Sequence, residues 1–359
     1  MTQAHAFLPP SGADNWAACA AWPTMQQTHP DLGDPTASEE GTQAHALLAE
    51  IMCSVEARPD VPDVPEEMLE AVMVAADYAR SLPVAEWNVE RHLSGERIAP
   101  GDANHGTPDL LGWHGLNLYV LDFKYGHRHV PHIGNLQLVN YAALEIENAV
   151  NIDGLVEQNV MVHLTIVQPR AYGHDPVRTW KIPAGELRAY ANVLANAAAR
   201  ALRPNAPAST GPQCTYCNGR HACAALRQVA GAAIDLSNGG SSSIALTPAA
   251  VGAELALVDA AISRLDAVRA GLQEQARHAL LSGGQIPGWQ MQSKSGREAW
   301  RLPADQVLAL GVPAGPAKPV TPTQARKAGV PPEVISLLAS RPTTAPELVR
   351  ADPEAKGIF

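Results

Sequence analysis

The chain lacks any apolar run long enough to span a bilayer. Its first residues, MTQAHAFLPPSGADNW, lack the basic segment followed by an apolar core that marks a secretory signal. Those two absences point to a cytoplasmic protein. Positive charge is also in deficit. With 26 Lys and Arg against 36 Asp and Glu, the formal net charge is −10. Such a balance gives no support to a non-specific basic coat for DNA, but it leaves room for a local basic groove. It also suits a site that gathers divalent cations. Cysteine is sparse and odd in number: Cys19, Cys53, Cys214, Cys217 and Cys223. Three of the five are clustered in a chain without an export signal, which argues for metal ligands over disulfides.

What is present is enough for two or three domains: 359 residues, of which 46% are hydrophobic, an ordinary share for a globular protein. Residues 1–37 are rich in Pro and Gly and read as an irregular N-terminal segment. Helical spacing starts near Ser38 and resumes over residues 65–80, where Met68, Val72, Ala75 and Ala76 mark one face. From about Ala85 to Gly126 the pattern is that of strands, and GWHGLN reads as a hairpin turn. A helix (IGNLQLVNYAALEIENAV), two strands (VMVHLTIVQPR and VRTWKIP) and another helix (AGELRAYANVLANAAARAL) follow. The expected division is an N-terminal segment 1–37, a core 38–200, a cysteine segment 201–234, a Gly/Ser linker 235–245, and a helical C-terminal region 246–359. In that last region Thr247-Pro248 is a helix start, and Leu255, Val258, Ile262, Leu265, Leu272 and Ala276 predict a packed helical seam.

The stretch LYVLDFKYG carries the chemistry. Side chains alternate across a strand, so Asp122 and Lys124 share a side with Leu116, Leu118 and Val120. A mostly apolar strand face thus ends on an acid and a base. A second acid, Asp109 in GTPD, lies on the preceding strand, and a turn near Gly112–Asn117 would bring it beside Asp122. Two carboxylates in one site repel and desolvate each other, and a divalent cation relieves that cost. Oxygen ligands suit Mg²⁺ or Mn²⁺. Lys124 would then stand near the water and the scissile phosphate. His45, on the helical face of Leu48 and Met52, precedes this pair. Gln137 and Tyr141 follow it, at helical spacing i and i+4.

In order, Gly41-Thr42-x-x-His45, Gly106-x-x-Asp109, Asp122-x-Lys124 and Gln137-x-x-x-Tyr141 resemble the motifs of the PD-(D/E)XK nucleases of the RecB-like branch. The resemblance implies a restriction-endonuclease-like fold: a mixed α/β sheet flanked by helices. It implies that His45, Asp109, Asp122 and the carbonyl of Phe123 hold the metal, that Lys124 is catalytic beside Asp109 and Asp122, and that Gln137 and Tyr141 contact DNA or position the site. Glu90 occupies a place where the branch often carries an acid and is a weaker metal ligand.

QCTYCNGRHAC gives Cys214-x₂-Cys217-x₅-Cys223, three thiols able to converge on one centre. Cys19 is the best fourth ligand by sequence, while Cys53 reads as a small buried hydrophobe. One cysteine upstream of the core with three downstream is similar to the iron–sulfur nucleases, namely the CRISPR-associated adaptation exonuclease and the AddB-type helicase-nuclease. That likeness implies a 4Fe-4S cluster in a lid made from both ends of the core. Zinc, held by four Cys or by three Cys and His221, is the alternative. Most of the chain, through IPGWQMQSKSGREAW, looks like a phage-associated RecB-like family.

GHRHVPHIGN packs His127, Arg128, His129 and His132 just behind Lys124. It reads as a phosphate-facing loop in which Arg128 pairs with DNA, with a second metal site as the alternative. Arg170, Arg178 and Lys181 would extend a basic track, and Trp289 and Trp300 are read as core residues rather than base-stacking ones. The expected activity is Mg²⁺- or Mn²⁺-dependent DNA hydrolysis, in exonuclease form, in phage or bacterial recombination, replication or repair. The alternatives are a non-catalytic DNA-binding scaffold on the same fold, or a nuclease subunit that meets a partner protein through residues 246–359. No membrane partner is expected.

Overall fold

A computed structural model describes residues 6–350, apart from Asp34 and residues 55–63, 154–158, 238–246, 294–298, 314–318, 341–342 and 344–345. The chain divides into two compact units, Met1–Gly271 and Leu272–Phe359.

The first unit opens with a 3₁₀ turn, Pro10–Gly12, and two short helices, α1 (Ala13–Ala18) and α2 (Trp22–Thr28). Residues 1–37 are therefore not irregular throughout, as their Pro and Gly content suggests. Leu8, Ala13 and Trp16 anchor them in the core, each at 1% exposure or less. Next come α3 (Thr36–Cys53), α4 (Glu66–Ser81), β1 (Trp87–Val89), β2 (Leu93–Ser94), β3 (His105–Gly106), β4 (Leu110–His114) and β5 (Asn117–Phe123). Then follow α5 (Leu136–Asp153), β6 (Met161–Val167), β7 (Val177–Pro183), α6 (Ala184–Ala201) and α7 (Ala224–Ser237). The expected linker thus begins late, because Asp235–Ser237 still belong to α7, and most of its remainder lies outside the described residues.

Five strands form one mixed sheet in the order β1-β4-β5-β6-β7. Only β5 and β6 are parallel, and the crossover between them carries α5, as a parallel pair requires. The β4–β5 hairpin turns on Gly115-Leu116, with Gly115 at φ 55° and Leu116 exposed in the turn. β5 is buried on both faces, which explains its nearly continuous apolar sequence. Leu118 and Val120 face one core with α1, α5 and α6, and Leu121 and Phe123 face a second core with α3 and α4. The second core shows why Cys53 is not buried. The buried stripe of α3 is Ala44, Leu47, Leu48 and Ile51, and Cys53 falls two residues past it on the exposed side of the last turn.

α8 (Pro248–Leu281) starts on the Thr247 cap, whose Oγ1 accepts the Ala250 N–H at 3.3 Å. The expected packed seam is not packed in the described structure: Leu255, Val258, Ile262 and Leu272 are exposed. Small residues are buried instead. Ala267 packs on Cys214, Cys223 and Leu226, and a side chain at Gly271 would meet Arg220 at 2.7 Å. The helix approaches the cysteine segment on its small-residue face, which a search for large apolar side chains passes over.

The second unit holds β8 (Trp289–Gln292), β9 (Ala299–Trp300), α9 (Ala304–Ala309), α10 (Pro322–Lys327), α11 (Pro332–Leu338), β10 (Ala339–Ser340) and β11 (Glu347–Arg350). Its core gathers Val307, Val312, Ala325, Ile335 and Ala339. Trp300 packs against that core and donates Nε1–H to the Val320 carbonyl at 2.9 Å, so it is structural. Among the described residues, no helix is long and apolar enough to cross a membrane.

Candidate active site and cysteine centre

The pairing of Leu110 with Leu121 sets Asp109 opposite Asp122, one residue before β4 and at the end of β5. The adjacency expected from the hairpin is therefore built by strand register. Asp109 holds two partners. Its Oδ1 lies 2.8 Å from His45 Nδ1, and its Oδ2 accepts the Phe123 N–H at 2.7 Å. Asp122 shares the face of Leu118 and Val120 and is 2% exposed. Lys124 Nζ lies 3.2 and 3.0 Å from the two Asp122 carboxylate oxygens and donates to Gln137 Oε1 at 3.0 Å. Gln137 in turn donates to Asp122 Oδ1 at 2.7 Å, closing a three-residue ring of hydrogen bonds. Tyr141, one turn along α5, donates its OH to the Thr107 carbonyl at 3.1 Å and braces the GTPD segment.

These contacts set the protonation states. Burial lifts the Asp122 pKa, Lys124 opposes that shift, and Asp109 adds to it. Burial works against the Lys124 ammonium, but the charge and hydrogen bond of Asp122 outweigh it and the lysine stays charged. His45 behaves likewise: burial disfavours its cation, yet its pKa is raised, by the Asp109 hydrogen bond and charge and then by Asp122. Burial, followed by the two carboxylates, pushes the Tyr141 phenol above its usual range.

All these side chains line one cavity of about 400 Å³, together with Pro9, Pro10 and Ser11 on one wall and His92 and His105 beside them. The wall is fixed. Leu8 N–H donates to the Ala103 carbonyl at 2.8 Å, and Trp16 Nε1–H donates to the Pro9 carbonyl at 3.0 Å. A Cβ at Gly106 would lie 2.8 Å from the Pro10 ring, so the glycine permits the wall to close this tightly. The cavity sits where the carboxyl end of β5 meets the first turn of α5. Ligands of α/β folds bind at such strand ends, and the helix N-terminus there favours anions.

Two residues of the cavity, and one near it, carry no pattern in the sequence. His92 and His105, with ring centroids 5.1 Å apart, are brought together by the β2–β3 ladder. Asp14, in the first turn of α1, accepts the Leu136 N–H at the start of α5 and lies within electrostatic reach of Lys124; burial raises its pKa, and both partners lower it. Glu90 does not join the cavity. It occupies a left-handed turn at φ 46°, its side chain is exposed, and only its N–H reaches the site, bonding the Asp109 carbonyl at 3.1 Å. Arg170 and Arg178 form no open basic track. Arg170 pairs with Glu67 at 3.2 Å and covers the Tyr125 ring, and Arg178 is buried against backbone carbonyls.

The donor set suits a hard cation. Asp122 Oδ2 is buried, and the cation that faces it is the Lys124 ammonium 3.0 Å away. Two ligands at right angles around an ion with ~2.1 Å bonds stand ~3.0 Å apart, close to the 2.8 Å between His45 Nδ1 and Asp109 Oδ1. Among the described residues, no three His, Cys, Asp or Glu side chains stand ready to hold a single metal ion. In this site the carboxylates are engaged by Lys124, Gln137 and the Phe123 N–H.

The cysteine centre lies elsewhere in the first unit. Cys19, Cys214, Cys217 and Cys223 line one small pocket with Trp22 and Met25, whereas Cys53 is exposed on α3. His221 does not line that pocket; its ring packs edge-on against His29. Cys19 Sγ accepts the Ser209 N–H at 3.4 Å, and Cys214 Sγ accepts the Gly211 N–H at 3.5 Å. Burial pushes the Cys217 thiol up to about 11 and raises Cys214 as well. Four sulfurs facing one pocket, two of them taking amide N–H bonds, form a donor set that fits a thiolate-held group.

The mixed sheet with an acid–lysine cavity at the end of its central strand makes this an α/β protein with a polar cavity at a strand end. The chain belongs to the family described as Protein of unknown function (DUF2800), whose model matches residues 5–308. The match includes the cavity, the cysteine centre and α8.

Proposed function

We propose that this protein is a metal-dependent deoxyribonuclease of the PD-(D/E)XK type, an exonuclease acting in phage or bacterial DNA recombination, replication or repair. The observation that carries the reading is the closed Asp122–Lys124–Gln137 set standing beside the Asp109–His45 pair in one cavity. A salt bridge at a strand end needs neither the second acid nor the glutamine.

His45, Asp109, Asp122 and the Phe123 carbonyl would hold Mg²⁺ or Mn²⁺, which supplies Lewis-acid activation of water and phosphate when bound. Lys124, held as an ammonium by Asp122, orients the attacking water and offsets negative charge developing on the phosphate. Gln137 fixes the Lys124 ammonium against Asp122. Tyr141 keeps the GTPD backbone in register, and the start of α5 offers its N-terminal field to the phosphate. The four cysteines would hold a 4Fe-4S cluster. Four thiols lining one pocket suit that cluster, and zinc on the same sulfurs is the alternative.

The test is end-labelled single- and double-stranded DNA incubated with anaerobically purified protein and Mg²⁺, Mn²⁺ or EDTA. Asp122→Ala and Lys124→Ala are run in parallel. Metal-dependent loss of label that both variants lack supports the reading. Cleavage unchanged in either variant removes the assignment, and DNA binding without cleavage under any metal makes the protein a scaffold.

A further inference from the structure

The segment directly behind Lys124 combines a rigid backbone with exposed side chains. Gln168, 1% exposed, donates Nε2–H to the carbonyls of Gly126 and Arg128 at 2.8 and 2.6 Å and accepts the Val130 N–H at 3.0 Å. The buried Arg178 adds a bond to the Val130 carbonyl at 3.1 Å and another to Gln168 Oε1 at 3.0 Å. A loop held this way needs few of its own side chains for structure, although the His127 ring nitrogens also lie 3.2 Å from the Arg170 carbonyl and 2.8 Å from its guanidinium. The loop side chains point outward and meet rings from two other loops. His127 stacks on Tyr172 at 5.6 Å between centroids, and His129 lies 3.9 Å from His174. The Arg128 guanidinium sits 5.4 Å from the Tyr216 ring centre. Tyr172 is 75% exposed and Tyr216 is 64% exposed, so each offers open ring area to an incoming group.

We propose that Tyr172 and Tyr216, with His127, Arg128, His129 and His174, form a stacking strip for single-stranded DNA leading to the cavity. The chemistry selects the ligand. Flat rings interleaved with a guanidinium take unstacked bases and the phosphates between them. In a duplex the base faces are already occupied by neighbours, so a rigid strip of exposed rings has nothing to hold there. Partial desolvation, then His174 and Arg178, hold the His129 pKa below its ordinary value. At neutral pH that ring is a flat neutral surface. A metal site is the weaker use of the same imidazoles, since among the described residues no three ligating side chains gather here. As a substrate path the strip rests on the nuclease reading. As a binding surface it stands by itself.

The test is fluorescence anisotropy in EDTA with a labelled oligothymidylate of about 16 nucleotides, a length that covers one binding site of this kind. A hairpin duplex of equal length is the comparison. Tyr172→Ala is the clean variant, since Tyr216 lies between two cysteines. Single-strand affinity should fall about 5- to 100-fold in Tyr172→Ala, return in Tyr172→Phe, and fall further in the Tyr172→Ala/Tyr216→Ala pair, while duplex binding barely changes. The proposal is overturned if the wild type binds no single strand, if the paired variant binds it normally, or if duplex affinity falls in step. Because EDTA removes cleavage from the assay, these outcomes are read separately from the Mg²⁺ cleavage test of the wild type. A protein that cuts DNA but passes the tyrosine variants unaffected loses only the strip.

Discussion

Replacing Lys124 by Met should destabilise the metal-free protein much more than replacing Lys124 and Asp122 together. Lys124→Met leaves the Asp122 carboxylate, only 2% exposed, without its counter-charge. Breaking a buried pair from one side costs about 3–5 kcal/mol. The Lys124 side chain keeps 26% of its exposure, so solvent shares the work and about 2–3 kcal/mol is the better figure. In Asp122→Asn/Lys124→Met the uncompensated charge is gone, and the amide still offers Gln137 an oxygen acceptor. Replacing a buried pair by neutral groups is commonly neutral or stabilising, so the double variant should fall within about 1 kcal/mol of wild type or above it. For a unit of this size each kcal/mol moves the melting temperature by roughly 2–4 °C.

The effect carries a pH signature. Asp122 has a native pKa above its ordinary 3.8, so folding takes up a proton there. Stability is greatest below the unfolded value and falls as pH rises through the native one. Loss of Lys124 moves that window further up. Lys124→Met should therefore be nearer to wild type at about pH 5 than at about pH 8. Urea titrations of the three proteins in EDTA at both pH values measure it. A double variant as unstable as Lys124→Met at the higher pH would refute the reasoning, since the penalty would then come from lost packing and not from a stranded charge.

His45 supplies a slope of the same sign, in a higher pH window. Its pKa is raised above 6.5 by Asp109 despite burial, so its stabilising contribution is present below the unfolded value and is lost as pH rises through the native one. With the side chain 30% exposed, the contribution should be ~1 kcal/mol or less, and melts of His45→Gln in EDTA should lack that decline. Cys217→Ser should strip most iron, sulfide or zinc from anaerobically purified protein, whereas Cys53→Ser should leave the content unchanged. Elemental analysis decides it, and equal loss in both would mean that the four-cysteine pocket is not the binding site.

The parts of the fold that could be read from the chain are those written in local periodicity. β5 announced itself as a nearly continuous apolar run carrying Asp122 at its end with Lys124 just beyond, and α5 placed Gln137 and Tyr141 one turn apart. The hairpin turn at Gly115 explains why the partner of Asp122 is Asp109. Long-range adjacency was less visible. His92 and His105 meet only because of a two-residue ladder, and Asp14 reaches the start of α5 only because α1 packs there. Gln168 looks like any strand-end glutamine until its four bonds are seen. The heptad-like run of α8 was legible as a helix but not as a packed one, because burial there follows Ala267 and Gly271. Cys53 and Glu90 were judged by type and neighbourhood, and both lie on exposed turns of backbone that pattern does not reveal.

The wall at Pro9–Ser11 and the thiol of Cys19 belong to one short stretch, and Cys19 is engaged by Ser209 from 190 positions further along the chain. This has a consequence for synthesis. The acid–lysine set is complete once α5 has emerged from the ribosome, but the residues that fasten Cys19 are translated much later. A nascent chain therefore passes through a stage in which the acid–lysine set and its Pro9–Ser11 wall exist while Cys19 is not yet fastened. Closure across such a span is also the slow, high-contact-order step of folding. Fastening of Cys19 is thus timed by the arrival of Ser209, long after the cavity residues have been made.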